Sequence, residues 1–197
     1  MNALVLEAYG PAESLHYKQV KKPEITAPTQ ILVKIHASGV NPVDCKVRQG
    51  ALSNIQKLPF PAVLGIDYSG EIEAMGDKVT GFEKGQFIFG RFGTFGKSWG
   101  SNAEYIVVDQ KIDNPVIKPE NISFAEAAGV GVAATTAYVG LIEHGKLAVD
   151  DGKRVLIIGA SGVLLTISLI TGGWKFRSSN SKTIKSQCDW YLLYWKC

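Results

Sequence analysis

Metal-ligating and disulfide-forming side chains are scarce in this chain, which has three cysteines and three histidines in 197 residues. Cys45, Cys188 and Cys197 form neither a Cys-x-x-Cys pair nor an even-numbered framework. A disulfide scaffold is therefore excluded, and a reduced, cytoplasmic setting is expected. His16, His36 and His144 are scattered, and isolated histidines of this kind read as surface or internally satisfied residues rather than ligands. An excess of charge of one sign is also missing. Lys and Arg number 21 against 18 Asp and Glu, for a net +3, which argues against nucleic acid as a partner. The N-terminus, Met-Asn-Ala-Leu-Val-Leu-Glu, has no basic region and meets an acid at Glu7, so it reads as neither signal nor transit peptide. Internal repeats are absent, and low complexity is confined to the Ser/Lys-rich Arg177–Ser186.

The longest uncharged run is residues 155–174, flanked by Lys153, Arg154, Lys175 and Arg177. Twenty such residues suffice to span a bilayer as a helix. The glycines and β-branched residues within the run favour strand–turn–strand or strand–turn–helix in water, so a membrane association is not expected. Composition shifts sharply beyond it. Residues 171–197 hold Lys175, Arg177, Lys182, Lys185 and Lys196 against the single acid Asp189, together with Trp174, Trp190 and Trp195. The basic character of the chain comes from this tail.

Residues 1–120 read as a β-rich domain. Short apolar runs recur at Ala3–Ala8, Ile31–Ala37, Val63–Leu64 leading into Tyr68–Ala74, Gln86–Phe89 and Ala103–Val108. Turn signals separate them, among them Tyr9-Gly10-Pro11, Gly76-Asp77-Lys78 and Glu83-Lys84-Gly85. Such spacing without long helices predicts a small barrel or sandwich. Within it, Gly39–Gly50 is suited to a short helix around Val47 that ends at Gly50. After residue 120 the pattern turns helical. Ser123 with Glu126 makes a capping box, and Ile122 is placed for its hydrophobic staple. A second helix is expected from Ala133 to about Glu143, ending near Gly145. Lys153-Arg-Val-Leu-Ile-Ile-Gly-Ala-Ser-Gly162 then reads as the first strand and phosphate turn of a dinucleotide-binding unit. The order, β-domain then helices then such a strand, gives a fold class of α+β with the beginning of α/β.

Several motifs stand in register. They are Ala37-Ser-Gly-Val-Asn-Pro-Val-Asp44 with Arg48-Gln-Gly50, Leu64-Gly-Ile-Asp-Tyr-Ser-Gly70, Gly76–Gly85, Gly100-Ser-Asn-Ala-Glu-Tyr105, Pro119–Ala128 and Thr136-Ala-Tyr138. Together they resemble the medium-chain dehydrogenases/reductases, in the zinc-free quinone oxidoreductase and enoyl-reductase branch, over residues 1–162. The resemblance implies a GroES-like, partly open β-barrel as catalytic domain (residues 1–120). It implies linking helices and the first Rossmann strand over 121–162, NADPH as cofactor, and hydride transfer to a quinone or conjugated carbonyl. Residues 163–197 carry no resemblance and read as an aberrant tail. In zinc-dependent relatives a Cys stands at the position of Asn41, and a His-Glu pair at the positions of Ile66-Asp67. Isoleucine cannot ligate zinc, and residues 86–110 contain no Cys, so no metal is expected.

A metal-free site needs fixed hydrogen-bond donors for the charge that develops on the carbonyl oxygen. Asn41 matches the family position beside the nicotinamide and is the first candidate; an Asx turn before Pro42 is its alternative use. Asp44 either orients Asn41 or caps the short helix. Cys45 reads as a small packed residue. Lys46 stands where some members carry an aromatic hydroxyl. Thr135 and Thr136 match residues lining the nicotinamide pocket, with back-bonding to the helix as their alternative. Gly159, Ala160, Ser161 and Gly162 are the expected phosphate contacts, although Leu165 occupies the place of a third glycine. Thirty-five residues follow Gly162, fewer than the remaining strand–helix units of such a domain require. The expectation is thus an NAD(P)H-dependent oxidoreductase by resemblance, with a small-molecule carbonyl or quinone substrate and impaired cofactor binding. The alternative is a non-catalytic fragment acting in interactions or at a membrane. An uncovered half-domain further predicts self-association or chaperone contact.

Overall fold

The computed structural model describes residues 1–55, 57–93 and 99–148, and the backbone of 154–158 and 166–170. Two compact units are present, Met1–Thr135 and Thr136–Cys197.

The first unit is built on two antiparallel sheets. Strands β1 (Asn2–Leu6), β2 (Leu15–Gln19) and β4 (Ala62–Val63) form one, in the order β2-β1-β4. Strands β3 (Gln30–Gly39), β5 (Asp67–Met75), β6 (Phe87–Arg91), β7 (Tyr105–Asp109) and β8 (Val116–Ile117) form the other, in the order β7-β3-β5-β6-β8. The two are joined where Leu4 donates to the Asn102 carbonyl and Glu104 donates to that of Asn2, beside an Ala3–Ala103 bridge. The result is a curved, incompletely closed barrel. Its long strand β3 bends at register shifts between Leu32 and Val33 and between Ile35 and Ala37, the kind of bulge that curls a sheet. Alternation along the strands aims Ile31, Val33, Ile72, Ile88, Ile106 and Val108 into one buried cluster, with Tyr68 and Phe92.

Every run read as a strand between Ala3 and Val108 is one, within a residue or two at its ends. β2 and β8 are additional, as is the short helix α2 (Gln110–Asp113). β2 has one half-buried residue and four exposed ones, and both residues of β8 are exposed, so neither shows alternating burial.

Helix α1 (Pro42–Arg48) starts with Pro at its first position and ends before Gly50, whose φ is +78°. Helix α3 (Phe124–Ala128) carries the capping box: the Ser123 hydroxyl accepts from Glu126 N–H at 3.2 Å, and the Glu126 carboxylate from Ser123 N–H at 2.7 Å. It lies against β3 and β5 through buried Ala127 and Ala128, and the Ser69 hydroxyl fixes its start by donating to the Phe124 carbonyl at 2.6 Å. Helix α4 (Gly131–Tyr138) begins two residues earlier than the sequence suggests and continues as a π-helical turn, Val139–His144, before Gly145.

In the second unit, β9 (Arg154–Ile158) occupies the expected strand and pairs antiparallel with β10 (Thr166–Ile170). The uncharged run at 155–174 thus contains two strands rather than one long helix, and among the described residues no helix is long and apolar enough to cross a membrane.

Candidate functional site

The loop from β3 into α1 sets Asn41 against two buried carboxylates, Asp44 at its backbone N–H and Asp67 at its side-chain amide. Asn41 is the residue before α1, in extended conformation. Its backbone N–H donates to the Asp44 carboxylate at 2.7 Å, and its carbonyl accepts Asp44 N–H at 2.9 Å. The Asn41 side-chain N–H donates to Asp67 Oδ2 at 3.0 Å. Asp67, at the start of β5, is 1% exposed, and Asp44 is 8% exposed. Asp44 thus closes the first turn of α1 and holds the Asn41 backbone N–H.

Asp67 also reaches α4. Val132 N–H points at both its oxygens, at 2.9 and 3.1 Å. The first turn of a helix has backbone donors with no partner inside the helix, and an anion there is favoured by the helix dipole. Burial pushes the Asp67 carboxyl above the ordinary carboxylate range, while the Asn41 amide, Val132 N–H and the cation of Arg91 pull the other way. Arg91 stands directly opposite Asp67 in the β5–β6 register. Burial likewise raises Asp44, opposed by the Asn41 N–H, with the nearby Asp67 charge adding to the rise and Gly65 N–H opposing it. Gly65 has a φ of +101°, and a Cβ there would lie 2.8 Å from Asn102 N. Only glycine lets this backbone deliver its N–H to Asp44 so close to the neighbouring chain.

Thr135, on α4, donates its hydroxyl to the Gly131 carbonyl at 2.7 Å. That is the back-bonded use weighed for it from sequence. Thr136 follows on the same helix. Gly159, Ala160, Ser161 and Gly162 lie outside the described residues. Strand β9 fits the opening of a dinucleotide unit, but residues 166–170 form an antiparallel strand where that unit needs a helix after its phosphate turn. The described backbone therefore does not fit the cofactor's phosphate half as the family lays it out.

His16, His36 and His144 are exposed, as expected of surface residues. His36 stacks on Phe124 with ring centroids 4.2 Å apart. Cys45 is half-buried in α1, and Lys46 is exposed. Among the described residues no group of three or more His, Cys, Asp or Glu is placed to hold a metal ion. Asp67 is the residue that sequence reasoning passed over. Its signal was a carboxylate inside the otherwise uncharged run Val63–Gly70, where a charge is costly unless partnered.

Residues 27–120 match the family model of the alcohol dehydrogenase GroES-like domain. The chain is 36% identical over 167 residues to the 2-methylene-furan-3-one reductase of Solanum lycopersicum, a match covering 82% of this chain and 41% of that protein. It is 36% identical over 163 residues to the quinone oxidoreductase of Homo sapiens, covering 82% of this chain and 46% of that one. A solved alcohol dehydrogenase superfamily protein from Novosphingobium aromaticivorans superposes with a TM-score of 0.66 at 34% identity, over 75% of this chain and 43% of the other. The chain thus spans a little under half the length of the relatives it matches.

Proposed function

Because the chain belongs to the medium-chain dehydrogenase/reductase superfamily, in its quinone oxidoreductase-like branch, we propose that it supplies the substrate-side half of a zinc-independent, NAD(P)H-dependent reductase of quinones or conjugated enones. The observation that supports this reading is the held conformation of Asn41, whose backbone N–H is taken by buried Asp44 and whose side-chain amide is taken by buried Asp67. One of its N–H bonds is held by Asp67, and the other is what the amide has left to offer a ligand.

A reduced nicotinamide would supply hydride to the β-carbon of the conjugated system. Negative charge then develops on the carbonyl oxygen, and a fixed N–H at Asn41 stabilises it without reorganising. The name of the tomato relative, a 2-methylene-furan-3-one reductase, supports a substrate in which a carbon–carbon double bond is conjugated to a ketone. Asn41 and Ile66 stand where zinc-dependent relatives carry ligands, which supports chemistry without zinc.

The antiparallel β9–β10 hairpin favours a second reading for the chain by itself, namely weak cofactor binding and little turnover. The test joins residues 1–158 to the nucleotide-binding half of a quinone oxidoreductase and washes the product with chelator. NADPH-dependent reduction of an enone or quinone with less than stoichiometric zinc is expected. Turnover that requires about one zinc per chain, or oxidation of simple alcohols without enone reduction, refutes the proposal.

A further inference from the structure

We propose that Asp67 is the positioning residue of this site, a single carboxylate that orients the Asn41 amide and ties it to the first turn of α4. The inference rests on Asn41 being the donor of the reading above, and goes beyond it by naming what sets that donor.

An asparagine amide has two nearly isosteric ends, and its surroundings decide which way it faces. A carboxylate oxygen only accepts, so Asp67 Oδ2 at 3.0 Å selects the NH2 end and fixes the direction of the second N–H. Both Asp67 oxygens also take Val132 N–H. Among the described residues two N–H donors, Asn41 Nδ2 and Val132 N, and no acceptor reach this carboxylate, and Arg91 stands across the strand pair.

Gly131 gives independent support. A Cβ at Gly131 would run into the Asp67 carboxylate and come within 3.1 Å of the Gly90 carbonyl. The start of α4 thus approaches the acid as closely as a backbone without a side chain allows. Asp67 does for α4 what an N-cap does from the preceding residue, but from a distant strand. The amide and the helix bearing Thr135 are therefore set by one group, and moving it disturbs both. A donor displaced by about 1 Å costs on the order of 10²-fold in rate, so the loss falls on turnover rather than on substrate binding.

The test needs no turnover, and so separates failure of this inference from failure of the proposed activity. It uses hydrogen exchange by NMR on the full chain, following the Asn41 side-chain amide and Val132 N–H. In Asp67→Asn both should exchange at least about tenfold faster, the factor that corresponds to loss of one hydrogen bond to a charged acceptor. In Asn41→Ala, Val132 should keep its protection, because its bond to Asp67 does not pass through Asn41. If Asp67→Asn does not fold, Gly131→Ala displaces the carboxylate while keeping its charge, and should speed exchange at Asn41 as well. An Asn41 side-chain amide that is indifferent to both Asp67→Asn and Gly131→Ala overturns the proposal.

Discussion

At the scale of single residues, the buried side-chain polar groups among the described residues divide into those with partners and one without. Tyr68 is fully buried, and its hydroxyl has no hydrogen-bond partner among the described residues. Burial, with the Asp113 charge nearby, pushes its phenol upward. An unsatisfied buried hydroxyl is a cost, so Tyr68→Phe should raise unfolding free energy by about 1 kcal/mol in denaturant titration. A loss of similar size would mean that the hydroxyl is satisfied in solution. Asp44 makes a second prediction. Its pKa is raised in the folded chain, so the folded state holds that proton more tightly than the unfolded one. Its contribution is full below about pH 4 and is lost as pH rises through the raised value. The stability of the native chain relative to Asp44→Asn should therefore fall as pH rises above about 4; a rise with pH there contradicts the burial account. Asn41 and Asp44 were legible in sequence because a loop motif names them. Asp67 was not, since its importance comes from Val132, 65 positions away, and no local spacing reports that.

At the scale of elements, what a residue pattern states locally was readable, and what tertiary contact imposes was not. The capping box at Ser123 and Glu126 needs only four consecutive residues, and α3 starts there. Ser123→Ala should cost about 1 kcal/mol, seen as a lower denaturation midpoint with an unchanged slope; no shift would mean that packing of Ala127 and Ala128 alone holds the helix. The start of α4 shows the opposite case. Sequence places the start at Ala133, whereas Val132 N–H meets Asp67 and the helix begins at Gly131. Likewise β2 and β8 are strands because neighbours pair with them, not because their side chains alternate.

At the scale of the whole molecule, the first unit presents a curved barrel with its donor set, and the second presents the β9–β10 hairpin. The barrel followed from alternating apolar runs whose turns are marked by glycine and proline. The hairpin followed only as one of two alternatives, because Val, Leu and Ile runs of five residues suit either a buried helix or a strand. The central claim is that Asn41 acts on charge arising in the transition state rather than on binding. Steady-state kinetics of Asn41→Ala in the chain joined to a relative's nucleotide-binding half tests it most directly. A fall in kcat of about 10²–10³-fold, with NADPH affinity and substrate KM nearly unchanged, is the predicted result. An unchanged kcat, or a loss confined to KM, would assign Asn41 to the structure of the loop and contradict the account.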